Sequence, residues 1–509
     1  MTRCPLTLAL FLLLFACPAF AARRISHHRH AAHHRHAPRK DGPAAAPVSA
    51  LFLSDIHFDP LRDPIKAPRL NEAPVDQWAA ILASPASPTQ EADYAAINQL
   101  CPIKPLVDPS DQPLQSALTA IHDQAKATHV RFAVLSGDIV THQFDCRYKL
   151  LFPKSTHAEY LAFVVKTFNY AVSSLRKALP GIPLYIAVGN NDTGCGDNKL
   201  NPRKDDFLRL TAPTVADALP TSDRARALRD FPRGYYGATL PARIAHTRIL
   251  VLDNLYESAA YKTCAAQPDP AAEDPQLVWL SAQLKQVRAR HQQAWVVGHI
   301  PPGVNLYSTY NLSPGFCGSG TPPAPFLADN KLNDLLAANA DVVRLALFGH
   351  SHTDELRLLK PPPDSGSPPN TGVPLKILPS ISPVFANLPS FTLATIDPRT
   401  ATLQDSSVVM ASNSTGIGTV WSKTYTFSEA YHLPDFSAGS LTQLITEFQS
   451  DPAADKPESQ AYLRENRHYF FDDHSAPLQP NWRGYACAMD HISAASFTAC
   501  ACSTRAPAP

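Results

Sequence analysis

Short apolar runs that each end in a polar turn recur along the chain from Pro47 onward. Each run has the length of a buried strand and is rich in β-branched or aliphatic residues, as parallel strands covered on both faces are. The turns that follow contain glycine, aspartate, asparagine or histidine. Six segments share this pattern: VSALFLSDIH, FAVLSGDIV, LYIAVGNND, RILVLDN, AWVVGHI and VRLALFGHSH. We therefore predict six buried strands with polar groups at their carboxyl ends.

Helical periodicity separates several of these runs. The clearest predicted helices are Leu114–Thr128, His157–Leu179 and Pro275–His291. Strands that alternate with helices indicate an α/β fold, in which functional groups collect where the parallel strands end. The polar turns fall at those positions.

The amino terminus has the pattern of an export signal. Arg3 precedes an apolar stretch at 6–16, and Ala-Phe-Ala at 19–21 fits a cleavage site. We predict that residues 1–21 are a signal peptide and that the product is periplasmic or secreted. Lipid anchoring at Cys17 is an alternative. Because no other stretch approaches the roughly 20 apolar residues that span a bilayer, we expect no transmembrane anchor.

Residues 22–47 are rich in histidine and arginine and lack apolar periodicity, so we predict a disordered linker. A solvated cationic leader is favoured over loose metal capture. Residues 1–40 hold seven cationic and no acidic side chains, so the formal charge of +1 becomes −6 over residues 41–509. With this net negative charge, residues 41–509 lack the basic surface of a nucleic-acid-binding protein. We therefore expect the protein to bind small nucleotides at most.

Cysteine usage also indicates export. Eight cysteines lie beyond the signal, and an even number in an exported chain favours disulfides over zinc ligands. Their pairing is left open by the sequence, and buried free thiols are an alternative. The eight are Cys101, Cys146, Cys195, Cys264, Cys317, Cys487, Cys500 and Cys502.

The polar turns offer ligands for metal ions. Aspartate, histidine and asparagine form a nitrogen and oxygen set that suits zinc, manganese or iron. Two of the turns carry ligands at positions i and i+2, which point to the same side of a strand. Seven ligands exceed the need of one tetrahedral ion and suit two ions with a bridging carboxylate. The candidates are Asp55, His57, Asp138, Asn190, His299, His350 and His352.

The ordered series D-x-H, GD, GNN, GH and GHxH resembles the calcineurin-like metallophosphoesterase superfamily. The resemblance implies two divalent ions, with zinc favoured and manganese or iron as alternatives. It assigns the first ion to Asp55, His57, Asp138 and His352. It assigns the second to Asn190, His299 and His350, with Asp138 shared between both ions.

The asparagines at this turn bear on the chemistry. A neutral amide at Asn190 completes the coordination and leaves the cluster positive toward a phosphate anion. Much of the superfamily has histidine in place of Asn191, and an amide can donate a hydrogen bond to a phosphate oxygen but cannot act as a general acid. The resemblance to the acid sphingomyelinase branch implies that His142 protonates the leaving group instead. Asp192 either orients His142 or a metal ligand, or is a helix N-cap.

Further motifs specify the branch. SDIHFDP, GHIPPG, FGHSHTDE and PSISPVFANLPSF resemble acid sphingomyelinase-like phosphodiesterases over residues 48–509. The resemblance implies a metallophosphoesterase β-sandwich of two mixed sheets flanked by helices. We expect a catalytic domain at 48–430 and a mostly helical, cysteine-containing region at 431–509.

These features predict an exported, dinuclear metal-dependent phosphodiesterase that uses attack by a metal-bound hydroxide. Residues 22–48 are too short for a saposin-like domain, which favours soluble nucleotide or phosphocholine diesters over membrane lipids. The GNND turn also resembles endopolyphosphatases, so a phosphatase or endopolyphosphatase is an alternative. A periplasmic metal-storage protein is an alternative of another class. The sequence does not indicate the oligomeric state.

Overall fold

The computed structural model describes residues 46–202, 204–244, 246–312, 315–362, 365–368, 370–468 and 479–503. The predicted signal peptide and all but the last two residues of the predicted linker lie outside these ranges. Twelve strands in two sheets make up the centre of this described part of the chain.

The first sheet has the order β12-β11-β10-β1-β2-β3. Its pairs β1-β2 and β2-β3 are parallel, whereas β1-β10, β10-β11 and β11-β12 are antiparallel. The sheet is therefore mixed. Its strands are β1 Val48–Leu53, β2 Phe132–Leu135, β3 Leu184–Ile186, β10 Ser390–Ile396, β11 Leu403–Ala411 and β12 Trp421–Thr426.

The second sheet has the order β4-β5-β6-β7-β9-β8. The four central strands run parallel, and both edge strands are antiparallel to their neighbours. Its strands are β4 Tyr235–Thr239, β5 Thr247–Leu252, β6 Gln293–Val297, β7 Val343–Phe348, β8 Glu355–Leu359 and β9 Val373–Ile377.

Helices flank the two sheets and also form most of the described carboxyl-terminal part. Their bounds are α1 Ala67–Glu72, α2 Trp78–Leu82, α3 Gln90–Leu100, α4 Asp111–Ala127, α5 Phe144–Leu151, α6 His157–Ala178, α7 Asp206–Asp217, α8 Thr221–Asp230, α9 Asp274–Ala289, α10 Leu306–Leu312, α11 Phe316–Ser319, α12 Lys331–Ala337, α13 Phe427–Tyr431, α14 Ala438–Gln449, α15 Pro457–His468, α16 Trp482–Ala488 and α17 Ala494–Ala501. Among the helices described, none combines the length and apolar character needed to cross a membrane.

Aromatic side chains join the inner faces of the sheets. The indole of Trp295 on β6 packs edge-on against Phe52 on β1 and Phe132 on β2, with ring centroids 5.9 and 5.8 Å apart. All three side chains are fully buried. The indole nitrogen of Trp295 donates a 2.8 Å hydrogen bond to the carbonyl of Ala401, so the polar end of this large apolar group is satisfied.

The predicted α/β fold with two mixed sheets is confirmed. The six predicted strands correspond to β1, β2, β3, β5, β6 and β7, and the three predicted helices to α4, α6 and α9. Helix α6 begins at a capping box in which Thr156 and Glu159 bond to each other's backbone N–H. The remaining strands were not predicted, because their sequences lack the apolar run followed by a polar turn.

All eight cysteines beyond the predicted signal form disulfides, as expected. The bonds join Cys101 to Cys146, Cys195 to Cys264, Cys317 to Cys502 and Cys487 to Cys500. The first bond joins the end of α3 to α5, and the second joins two loops. The other two hold α17, one of them to α11 and the other to α16.

Helices α13 to α16 share a hydrophobic core with the sheets, and the described residues from 46 onward belong to one compact unit. A buried ion pair lies at this junction. Asp354, just before β8, accepts two 2.6 Å hydrogen bonds from Lys376 on β9. It also accepts one from the hydroxyl of Tyr425 on β12. Lys376 and Asp354 are 2% and 5% exposed, so each buried charge is stabilised by the opposite charge of its partner.

We expect Lys376→Met to lower the free energy of unfolding by about 3–5 kcal/mol, because it leaves the Asp354 carboxylate buried without its cation. Urea unfolding followed by circular dichroism measures the change. Lys376→Met/Asp354→Leu should recover most of the loss, because no buried charge then remains. Lys423→Met, on the exposed face of β12, is the matched control. A Lys376→Met protein that is as stable as the Lys423→Met control would contradict the prediction.

Candidate metal centre

The loops that carry the seven predicted metal ligands meet where the parallel strands of both sheets end. The first sheet contributes four of them through the loops after β1, β2 and β3, and the second contributes three through the loops after β6 and β7. Asp55 and His57 follow β1, Asp138 follows β2, Asn190 follows β3, His299 follows β6, and His350 and His352 follow β7.

One group of ligand atoms forms around Asp55. The Nε2 atoms of His57 and His352 are 3.2 Å apart, and each faces Oδ1 of Asp55, at 3.6 and 3.3 Å. His57 Nε2 is also 3.5 Å from Oδ2 of Asp138. The Nδ1–H of His57 donates to the carbonyl of Val140 at 3.2 Å, which leaves a lone pair on Nε2. Two imidazoles and two carboxylates thus converge on one point.

A second group shares the carboxylate of Asp138. His299 Nε2 lies 3.1 Å from Asp138 Oδ2, and His299 Nδ1 donates to the carbonyl of Ser136 at 2.9 Å. Potential ligand atoms of Asp138, His299 and His350 lie within 4.8 Å of one another, as do those of Asp55, His57 and Asp138. Asp138 belongs to both groups, the position that a bridging ligand requires.

The donor atoms of this centre fit divalent cations. Asp55 Oδ1, Asn190 Oδ1 and His299 Nε2 are buried and have no hydrogen-bond partner. Buried polar atoms without partners cost free energy, so such atoms mark a place where another ligand contributes. A mixture of imidazole nitrogens with carboxylate and amide oxygens suits borderline divalent metals.

The backbone at these ligands is strained. Five of them have positive φ angles, in the left-handed region that costs a non-glycine residue roughly 1–2 kcal/mol. Such conformations persist where the surrounding structure determines them, and they cluster at functional sites. The five are Asp55 at 50°, His57 at 46°, Asp138 at 53°, His350 at 70° and His352 at 62°.

Glycines precede several ligands because the strand ends approach one another closely. A Cβ atom on Gly349 would contact Ser54 Oγ and would lie 2.7 Å from Asp55 Oδ2. A Cβ atom on Gly189 would lie 2.5 Å from the backbone nitrogen of Asp138 and would contact its carboxylate. Real Cβ atoms do not come this close, so a side chain at either position would displace a ligand.

Burial and charge shift the pKa values in the centre. Burial alone would raise the pKa of Asp55, but the imidazoles of His352 and His299 hold it well below its ordinary value. Burial, reinforced by His299, lowers the pKa of His350 to about 3, which favours the neutral imidazole. The carboxylates of Asp138 and Asp55 outweigh burial at His299 and raise its pKa to about 9. Burial and repulsion from Asp138 raise the pKa of Asp192 to about 7.

Asn191 contacts the shared carboxylate. Its backbone N–H donates to Asp138 Oδ1 at 2.8 Å, and its side-chain Nδ2 donates to Oδ2 at 2.9 Å. The sequence suggested a phosphate oxygen as the acceptor for this amide, whereas in the structure its donors hold Asp138. The amide reaches the carboxylate because the loops after β2 and β3, two adjacent parallel strands, lie side by side.

Asp192 joins the same two loops. One of its oxygens accepts from the N–H groups of Ile139 and Val140 at 2.8 and 2.9 Å, and the other from Gly189 at 2.9 Å. The predicted N-cap role is wrong, since no helix begins at this residue. Asp192 has no hydrogen bond to His142 among those described.

His142 lies beside the first group of ligands. Its ring stacks on that of His57, with centroids 4.0 Å apart and planes at 15°. Its side chain is 23% exposed, and its Nδ1 lies 2.9 Å from Oδ2 of the buried residue Asp108. Thr141 donates to that same oxygen at 2.7 Å, and Ser382 donates to the other at 2.9 Å.

Asp108 was not predicted from the sequence. It lies 34 positions before His142 in a loop without a recognisable motif, and only the tertiary fold brings the two together. Burial alone would raise the pKa of this carboxyl, but the imidazoles of His142 and His57 hold it well below its ordinary value. Asp108 is therefore an anion that orients His142.

The chain is similar to known phosphoesterases. The family model for calcineurin-like phosphoesterases matches residues 49–354. The human acid sphingomyelinase-like phosphodiesterase 3b is 26% identical over 359 residues, which cover 65% of this chain and 68% of that protein. The mouse cyclic GMP-AMP phosphodiesterase SMPDL3A is 23% identical over 359 residues, which cover 66% of this chain and 72% of that protein. Sphingomyelinase phosphodiesterase C of Dictyostelium discoideum is 23% identical over 40% of each chain.

We expect Gly349→Ala to lose at least half of the bound metal, because the added methyl group would displace Asp55. Elemental analysis after gel filtration measures the metal, and circular dichroism checks that the protein is folded. Gly318→Ala is the control, since no heavy atom lies within 4 Å of the position that its added methyl group would occupy. Retention of full metal content by a folded Gly349→Ala protein would show that the close approach does not constrain the centre.

Proposed function

The chain belongs to the calcineurin-like phosphoesterase family, and we propose that it is an exported, dinuclear metal-dependent phosphodiesterase. It is a metal-dependent phosphoester hydrolase, and the relatives named as phosphodiesterases support a diester substrate. The observation that carries the proposal is a pair of ligand groups sharing Asp138, beside the partly exposed His142 that Asp108 orients. Soluble nucleotide or phosphocholine diesters are the proposed substrates.

Two sets of residues would hold the ions. Asp55, His57, Asp138 and His352 form the first set, and Asn190, His299 and His350 form the second, with Asp138 shared. Zinc is the favoured metal, and manganese and iron are alternatives with the same ligand preferences. When bound, the two ions activate water as a nucleophile and stabilise charge on the phosphoryl oxygens.

The ligand set favours an anionic substrate. Its two carboxylates, Asp55 and Asp138, only partly offset the charge of two divalent cations. The amide of Asn190 would coordinate without adding negative charge, so the loaded centre would attract a phosphodiester. A carboxylate at position 190 would weaken that attraction.

His142 is the proposed general acid. Its Nδ1–H donates to Asp108, which fixes the ring, and in the protonated ring the Nε2–H is the proton that would pass to the departing alkoxide. An imidazole fixed by a buried carboxylate is the arrangement by which hydrolases control the orientation of a catalytic histidine. The partly exposed side chain gives substrate access to the ring.

Asn191 and Asp192 are proposed as positioning residues. Asn191 fixes both oxygens of Asp138, and Asp192 fixes the backbone of the two loops that carry Asp138 and Asn190. Neither side chain needs to transfer a proton in these roles. Their contribution to catalysis is the placement of the shared ligand, to which rate is sensitive.

The proposed location is the periplasm or the extracellular space. Four disulfides persist in an oxidising compartment and are rare in the cytosol. The predicted signal peptide agrees with export. The location also separates the enzyme from cytosolic nucleotides and makes soluble extracellular diesters the relevant substrates.

Phosphatase or endopolyphosphatase activity is the second candidate function. It is favoured by Asn191, which supplies no acid at the turn where much of the family has histidine. A phosphoanhydride releases a phosphate, a better leaving group than an alkoxide, and so needs less help from an acid. The position of His142 beside the ligands favours the diester instead.

We expect the mature, metal-loaded protein to cleave bis-p-nitrophenyl phosphate faster than p-nitrophenyl phosphate or polyphosphate. Rates of nitrophenol and phosphate release give the comparison. Asp138→Asn is the control, because it weakens the shared ligand and should remove bound metal and activity together. A preference for monoester or polyphosphate would replace the diesterase proposal with the second candidate. An active Asp138→Asn enzyme would refute the two-metal proposal.

We expect His142→Ala to slow alkyl diesters about 100-fold or more and nitrophenyl diesters less than tenfold, because a good leaving group needs little protonation. Asp108→Asn should show the same pattern more weakly, since it removes the charge that orients His142. Values of kcat/KM for both substrate types measure the effect, with metal content as the control. An equal loss of kcat/KM on both substrate types would show that His142 is not the general acid.

A further inference from the structure

One aromatic ring is exposed at the rim of the metal centre. From residue 372 to residue 387, every position is buried except Phe385, which is 38% exposed. Contact with water is unfavourable for a large apolar ring, so burial by a bound molecule would be favourable. We infer that Phe385 binds a planar, uncharged group of the substrate on the leaving-group side. This inference rests on the proposed function and adds the class of the leaving group.

The ring lies against two residues of the centre. Its centroid is 4.6 Å from that of His352, a proposed ligand, with planes at 71°, and 6.1 Å from that of His142, with planes at 79°. Edge-to-face packing of this kind is a stable arrangement for aromatic rings. Because His142 is the proposed donor to the leaving oxygen, a ring beside it borders the space of the leaving group.

Hydrogen bonds fix the conformation of the loop that carries Phe385. Ser382 donates through its hydroxyl to Asp108 at 2.9 Å, and Asn387 donates to the carbonyl of Ser382 at 2.8 Å. The chain turns directly after the ring at Ala386, whose φ of 63° lies in the left-handed region. An aromatic ring that is already fixed loses little conformational freedom when a ligand covers it.

The surroundings of Phe385 select the kind of group that it can bind. The phenyl ring offers no hydrogen bond, so a polyphosphate chain gains nothing from it. A quaternary ammonium group prefers a cage of several aromatic rings, whereas here a single ring borders imidazoles and a cationic centre. A nucleobase or another aryl group has an apolar face that stacks on an aromatic side chain. A planar group is therefore favoured over choline and over phosphate.

Phenylphosphonate and methylphosphonate provide the test, because they share one phosphonate group and differ in the ring. Calorimetric titration of the metal-loaded protein measures both dissociation constants. We expect wild-type protein to bind phenylphosphonate about tenfold more tightly, in line with base stacking on aromatic side chains. Phe385→Ala should abolish this preference, and Phe385→Trp should retain it. Val278→Ala, which truncates an exposed apolar residue on α9, is the matched control and should leave it unchanged.

The ratio of the dissociation constants for phenylphosphonate and methylphosphonate separates loss of stacking from damage to the metal centre. Damage to the centre would weaken the binding of both ligands equally. Metal content and affinity for methylphosphonate should therefore be the same in Phe385→Ala as in wild type. A preference that persists in Phe385→Ala, or no preference in wild type, would overturn the inference. Titration needs no turnover, so a ring preference without diester cleavage would refute only the proposed diesterase activity. Diester cleavage without a ring preference would refute only the role of Phe385.

Discussion

The placement of the Asp138 carboxylate is the constraint on which the rest of the structure depends. One of its oxygens faces imidazoles from both sheets, and the amide groups of Asn191 hold both oxygens from the neighbouring loop. A carboxylate held in this way fixes where the strand ends of the two sheets must meet. The glycines before the ligands follow from that requirement, because only a residue without Cβ permits the approach.

Holding this centre together costs free energy that the remaining fold offsets. Five candidate ligands have left-handed backbone conformations, and the carboxylates of Asp55 and Asp138 are removed from water. The aromatic contacts around Trp295 bury apolar surface between the sheets, and the pair of Asp354 with Lys376 connects the loop of His352 to β9. The hydrophobic core and this buried ion pair thus stabilise a site that would not form by itself.

The sequence predicted the strands of the parallel regions and the ligands that follow them, because both are local patterns. Each ligand comes directly after an apolar run, so its position at a strand end can be read without knowledge of the fold. Strands β10 to β12 were not predicted, since their sequences mix polar with apolar residues and lack a continuous apolar run followed by a polar turn. The N-cap alternative for Asp192 failed because its oxygens bind the backbone of neighbouring loops.

The sequence by itself thus determined the fold class, the eight cysteines that form disulfides and the identity of the candidate ligands. Only the tertiary structure decided which cysteines pair, that Asp108 orients His142, and that Phe385 lies at the rim of the centre. These contacts join residues far apart in the chain through loops without periodicity. Local propensity carries no information about such contacts, because their geometry is set by how the two sheets and their loops pack.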